Sequence, residues 1–196
     1  MGDLGILTPG SNWADVDGDG DLDLLQGRVG FAMRLYENDG NAVFTENSEA
    51  GLGFHLVPHG IAFGDVDGDG DLDAYINTWD FILGARQANR LLINQGEPAY
   101  KWLKVRPVNE NRHATLVGAQ VRLFEAGTQM SVGVRRHTDG GHCFGSQDAY
   151  DVYFGLSEFP DSTFDVEVRC GGSWITKASQ PELGNVAPNQ VIEAKC

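Results

Sequence analysis

The sequence predicts an all-β chain, with two repeated β units and their metal-binding loops over residues 1–98 and a β-sandwich-like domain over residues 99–196. Three observations carry that expectation. A nine-residue acidic window occurs twice, 50 residues apart, and a period near 50 points to a repeated β unit such as a propeller blade. The second half alternates apolar and polar residues with the period of two that a half-buried strand imposes. Helical periodicity is nearly absent, and its best candidate, Thr45 to Ala50, is too short to matter. The 196 residues suffice for one large or two small domains with their own cores. At 41% hydrophobic and 21% charged residues the composition is neither disordered nor fibrous. The 26 glycines, about twice the usual share, call for many tight turns.

The first window is Asp15-Val16-Asp17-Gly18-Asp19-Gly20-Asp21-Leu22-Asp23, and the second is Asp65-Val66-Asp67-Gly68-Asp69-Gly70-Asp71-Leu72-Asp73. They hold ten of the 28 acidic residues, leaving 18 against 14 bases, so the net charge of −14 is a local feature. An acidic balance without clustered Lys and Arg argues against nucleic acid and anionic membrane surfaces as partners. No run reaches the roughly 18 apolar residues of a bilayer span, so no membrane insertion is expected. The start Met1-Gly2-Asp3 shows no secretory signal. A signal is therefore expected to have been removed, or the chain to begin inside a longer precursor.

Five carboxylates in nine residues repel one another unless a cation sits among them. A set of hard oxygen donors suits Ca2+. Spacing assigns Asp15, Asp17, Asp19 and Asp23 as side-chain ligands with Asp21 offering its carbonyl; Asp65, Asp67, Asp69 and Asp73, with the carbonyl of Asp71, form a second site. Gly20 and Gly70 allow the sharp turn that brings the ligands round one ion. An EF-hand would need a bidentate acid at the twelfth position, where Gln26 and Ile76 stand, and helical flanks. The flanks, Leu22 to Leu25 and Leu72 to Ile76, read as strands, so each site is strand–loop–strand.

Similarity continues past the loops. Arg34-Leu35-Tyr36-Glu37-Asn38-Asp39-Gly40 follows the first and Arg90-Leu91-Leu92-Ile93-Asn94-Gln95-Gly96 the second. Each unit is a calcium loop, strand, connector, strand and Asn-x-Gly turn. With Gly64 ahead of the second loop, and Phe44-Thr45 and Ala50-Gly51-Leu52 upstream of it, residues 11 to 97 resemble the FG-GAP/VCBS repeat, which implies blades of an integrin-like β-propeller. The remainder resembles the ASPIC/UnbV domain, which typically follows such repeats in extracellular proteins. Trp102-Leu103-Lys104-Val105, Asn111-Arg112, Gly118-Ala119-Gln120-Val121, Gly145-Ser146-Gln147 and Phe154-Gly155-Leu156 carry that resemblance. Where that family has a Trp-Pro-x-Gly turn, this chain has Cys170-Gly171-Gly172-Ser173. The resemblance implies no catalytic residue.

Read on its own, the second half is also all-β. Val121 and Leu123 alternate with Arg122, Glu125-Ala126-Gly127-Thr128 breaks the strand, and Met130 to Val134 returns as its hairpin partner. Phe164, Val166 and Val168 alternate with Asp165, Glu167 and Arg169, after which Cys170 to Trp174 turns the chain back toward Ile175. A sandwich of about eight short strands fits the length. Cys170 shares strand parity with Phe164, Val166 and Val168, and Cys196 with Ile192 and Ala194. Parity therefore predicts a Cys170–Cys196 disulfide between neighbouring strands, the alternative being two buried thiols, with Cys143 left over.

No catalytic constellation emerges, and no enzyme is expected. His137, His142 and Cys143 lie in a polar connector whose spacing completes no tetrahedral metal site. Ser146 lacks a Gly-x-Ser-x-Gly elbow, and the Gly-rich loops carry Asp, which repels phosphate. Arg135-Arg136 reads as a solvated strand edge, and Trp13, Trp79, Trp102 and Trp174 read as core. The expectation is a secreted, non-enzymatic calcium-binding structural or adhesion protein, extracellular or at the cell surface. Two repeats cannot close a propeller ring of about four to eight blades, and open sheet edges invite pairing. Self-association into an oligomer or filament is therefore expected. The alternatives are a glycan-binding module that contacts surface glycans, and a non-catalytic fragment of a larger secreted propeller protein.

Overall fold

The computed structural model describes residues 10–55, 57–78, 88–96, 101–114, 118–136, 146–159, 161–178 and 180–196. The all-β expectation holds: these residues form 13 strands and one 3-10 turn, Pro181–Leu183, with no α-helix among them. The chain divides into two compact units. The first comprises Met1–Val16, Asp21–Gln95 and Gly140–Asp148, and the second Asp17–Gly20, Gly96–Asp139 and Ala149–Cys196.

The first unit holds the repeats as two antiparallel meanders. Strands β1 (Ser11–Ala14), β2 (Asp23–Gln26), β3 (Arg34–Asn38) and β4 (Phe44–Asn47) form a four-stranded sheet in chain order. Strands β5 (Pro58–Gly64), β6 (Asp73–Thr78) and β7 (Arg90–Leu92) form a three-stranded one. Each acidic window connects a hairpin, with Ala14 opposite Asp23 and Gly64 opposite Asp73. Ala14, Leu25, Met33, Ile61, Phe63, Ala74 and Ile76 make one core from both sheets. The short helical candidate at Thr45–Ala50 begins instead as strand β4, because pairing with β3 supplies backbone partners that so short a helix cannot.

The second unit is a sandwich of two three-stranded sheets. One runs β10 (Ser131–Arg136), β9 (Gln120–Glu125), β12 (Phe164–Arg169), and the other β11 (Val152–Gly155), β8 (Trp102–Val108), β13 (Gln190–Lys195). Six strands among the described residues stand where about eight were expected. Parity operates as read: Leu103, Val105, Val121, Leu123, Phe164 and Val166 are buried in one core between the sheets. Fully burying each such side chain contributes about 1.5–3 kcal/mol before entropy is counted. The turn after Cys170 returns the chain so that Ile175 bridges Val168.

Cys170 and Cys196 are joined as a disulfide, with Cα atoms 5.8 Å apart. They follow β12 and β13, which lie in different sheets, so the bond ties the two layers together rather than two neighbouring strands. Alternation placed both side chains inward but could not say which sheet each strand joins.

Two polar residues depart from simple alternation. Asp165, expected outward, is buried. It accepts from the N–H groups of Gly127 (2.9 Å) and Asn185 (3.2 Å) and pairs with the Lys177 ammonium at 2.5 Å. Burial alone would raise its carboxyl, but Lys177 and the two N–H groups outweigh this and hold it below the ordinary carboxylate range. Arg135, expected to be solvated, is half-buried, and its guanidinium donates to the Gly20 carbonyl. The three described tryptophans are not core either. Trp13 is exposed and meets Phe44 edge-on at 5.7 Å. Trp102 is half-buried beneath the Lys104 ammonium at 4.4 Å, and Trp174 beneath Arg122 at 3.9 Å. Their amphipathic rings serve as platforms for cationic side chains on the outer sheet faces. Trp79, His137, His142 and Cys143 lie outside the described residues.

Candidate metal centres

Identical windows fold into nearly identical turns. Gly18 and Gly20 have φ of 72° and 103°, and Gly68 and Gly70 have 84° and 104°. These values lie in the region that a Cβ disfavours, so glycine is required where each loop reverses. Asp17 Oδ1 accepts from the Asp19 N–H and Asp67 Oδ1 from the Asp69 N–H, both at 3.3 Å. In the second loop, Asp65 Oδ1 also accepts from Gly68 N–H at 2.6 Å and Asp69 Oδ1 from Asp71 N–H at 3.2 Å. Such side-chain-to-backbone bonds are how Asp holds a turn.

The last aspartate of each window closes the loop from the strand that follows. Asp23 Oδ2 accepts from Val16 N–H at 2.8 Å and Oδ1 from Asn38 N–H at 3.0 Å. In the second repeat, Asp73 accepts from Val66 N–H at 2.7 Å and Asn94 N–H at 2.9 Å. Both carboxylates are buried. The asparagines complete the clasp: Asn38 Nδ2 donates to the Leu22 carbonyl at 3.3 Å, and Asn94 Nδ2 to the carbonyls of Val16 at 2.7 Å and Leu72 at 3.5 Å. Sequence reasoning read Asn38 and Asn94 only as turn residues, although their recurrence after each loop was the available signal.

Two carboxylate groupings result. Asp15, Asp17 and Asp19 each offer an oxygen within 4.8 Å of the others, and Asp65, Asp67 and Asp73 do the same. Asp23 and Asp69, assigned as ligands from spacing, are not in these groupings. Asp23 gives both oxygens to backbone donors, as Asp73 does, and Asp69 is exposed, as Asp67 is, so neither burial nor backbone bonding separates the two groupings; only the distances do. Asp21 lies with Oδ2 2.6 Å from where a Cβ on Gly40 would stand, and Asp71 is buried. Water displaced by the loop's own atoms, and then the charges of Asp69 and Asp73, hold the Asp67 carboxyl above its ordinary range. Ionising Asp67 in the bare loop is thus less favourable than in open water, although the Asp69 N–H partly offsets this, and a cation held there would favour the ionised form. Clustered hard oxygens fit a hard divalent cation.

Asp148 gave no signal in the sequence. Its Oδ1 accepts from Asn12 Nδ2 and Phe63 N–H, both at 2.8 Å, while Asn12 Nδ2 also donates to the Ile61 carbonyl at 3.1 Å. It therefore staples β1 to β5, next to the strand ends from which both loops spring. Its partner Asn12 lies 136 residues away, a separation that no local pattern encodes.

The family model of the FG-GAP-like repeat matches residues 15–76. That span opens on the first aspartate of loop one and ends in β6 just past loop two, so an FG-GAP-like repeat is found where the clasped loops lie. No curated protein matches the chain. Repeats of this kind build propeller-type modules, often bind Ca2+, and are typical of extracellular or surface proteins. No helix among the described residues is long and apolar enough to cross a membrane.

Proposed function

We propose that this chain is a secreted, non-enzymatic β module stabilised by two calcium ions, acting as a structural or adhesive building block of an extracellular assembly. The carrying observation is that each of the two equivalent loops holds a three-carboxylate grouping, Asp15, Asp17 and Asp19 in one and Asp65, Asp67 and Asp73 in the other, on a loop that Asp23 or Asp73 clasps shut. Asp15, Asp17 and Asp19 would hold one ion and Asp65, Asp67 and Asp73 the other. Calcium would supply charge neutralisation, so that five crowded carboxylates stabilise their loop rather than strain it. On this reading the sandwich of the second unit, with its resemblance to the ASPIC/UnbV domain, serves as a rigid companion module.

The test is a thermal melt of the calcium-loaded chain against the same chain in excess chelator. At free calcium about 100 times the dissociation constant, linkage contributes about 2.7 kcal/mol per site. Chelation is expected to lower the melting temperature, and an unchanged melt overturns the calcium reading. The exposure of Trp13 beside Asp15 favours one second reading, a glycan platform formed by an aromatic ring next to a metal loop. A glycan array separates the two, because an assembly subunit gives no saturable sugar signal.

A further inference from the structure

The two repeats bury opposite faces. Register makes their positions equivalent: Leu24 pairs with Tyr36 as Ala74 pairs with Leu92, and Leu25 pairs with Leu35 as Tyr75 pairs with Leu91. In the first repeat the buried face carries Ala14, Leu25, Met33 and Leu35. In the second it is the other face, with Ile61, Phe63, Ala74, Ile76 and Leu92. These two faces share one core, so the contact between repeats is heterologous, one kind of face meeting the other.

Each repeat is left with an outward face whose counterpart is already buried in its neighbour. On the first repeat it carries Trp13, Leu24, Tyr36 and Phe44; on the second, Ala62, Tyr75 and Leu91. Trp13 is 45% exposed where its equivalent Phe63 is 6%, and Tyr75 is 44% exposed where Leu25 is 4%. The Arg34 guanidinium and Glu46 carboxylate on the first outward face pair with each other at 3.2 Å, so the face presents no isolated charge there to a partner.

We infer that the outward face of the first repeat packs on the outward face of the second repeat in another copy of this chain, reproducing between copies the contact that joins the repeats within one. The occupant is a second copy because this chain already displays both complementary surfaces and already uses their equivalents. Such a contact propagates head to tail. If the rotation closes, a ring of about four to eight blades needs about two to four copies; if it does not, a filament grows. The inference deepens the assembly reading above and rests on it, but not on the calcium reading.

The test is sedimentation of the calcium-loaded chain at high micromolar concentration, with Trp13→Glu and Tyr75→Glu made separately. Wild type is expected to sediment above the monomer, and each variant as a folded monomer whose β-sheet circular dichroism matches wild type, its melting temperature lower only by what association contributes. An equimolar mixture of the two variants then forms a one-to-one dimer and nothing larger, because each supplies the face that the other lacks. A chain carrying both changes stays monomeric. Should either substitution impair folding, Phe44→Glu and Leu91→Glu probe the same two faces. A monomeric wild type, variants that still associate, or a mixture that stays monomeric each overturns the proposal. A monomeric wild type whose melt still responds to chelator leaves the calcium reading standing.

Discussion

The two acidic windows are the same nine residues, yet they occupy different surroundings. Their turns agree closely: the second glycine has φ of 103° in one and 104° in the other, and the bonds to Asp23 and Asp73 match within 0.1 Å. Their tips differ. In the second unit, Ser157 donates its N–H (3.1 Å) and Oγ–H (2.7 Å) to the Gly18 carbonyl, and Arg135 donates to that of Gly20. Val66, Asp67, Gly68 and Asp69 are instead exposed to solvent. Local sequence therefore sets how a loop turns, and its tertiary neighbours set how much water reaches it.

Withdrawing calcium should break the resemblance most visibly. With both ions removed, about 2.7 kcal/mol per site is lost relative to the chain at free calcium about 100 times the dissociation constant. Limited proteolysis in chelator should then cut within residues 65–73 before residues 15–23, since the first tip keeps its protein partners. Equal cutting rates would show that those contacts do not protect it.

Asp23→Ala and Asp73→Ala should each destabilise the chain by roughly 1.5–3 kcal/mol even in chelator, because each removes a buried carboxylate that accepts two backbone N–H groups. Asp67→Ala, at an exposed position, should instead weaken metal binding with little change in the chelated melt. If Asp73→Ala and Asp67→Ala have the same effect in chelator, the last aspartate is a ligand only and not a clasp.

A carboxylate outside both loops gives the control. Asp165 is held below its ordinary range, so its contribution is fully present above the unfolded value near pH 4 and is lost as pH falls through the folded value. Asp165→Asn should cost roughly 1–3 kcal/mol at neutral pH and flatten the acid limb of the stability curve. An acid limb unchanged by the substitution, followed by denaturant melts, would show that the Lys177 pair contributes nothing. The smallest expected effect belongs to Ser157→Ala, about 1 kcal/mol, felt as faster cleavage of the first loop alone.

How much was legible divides by residue. The glycine turns, the strand flanks at Asp23 and Asp73 and the inward face of Phe164, Val166 and Val168 were readable, because each depends on neighbours a few positions away. Alternation has a period of two, so it separates two faces of a strand without naming the one that packs. For that reason it left open that the equivalent residues Leu25 and Tyr75 would be buried and exposed respectively. The same ambiguity placed Trp13 in a core, although its equivalent Phe63 is buried.

By itself the sequence determined the all-β class, the duplicated acidic turns and the parity that points Cys170 and Cys196 inward, all of them consequences of local sterics, charge and period. Only the tertiary structure decided that Cys196 ends a strand parallel to β8 in the opposite sheet, and that Asp148 staples β1 to β5. It alone decided that Ser157 shields one loop and not its twin. Those outcomes depend on segments brought together from far apart in the chain, and pairing over such separations is selected by the burial of whole faces, which no nine-residue pattern contains.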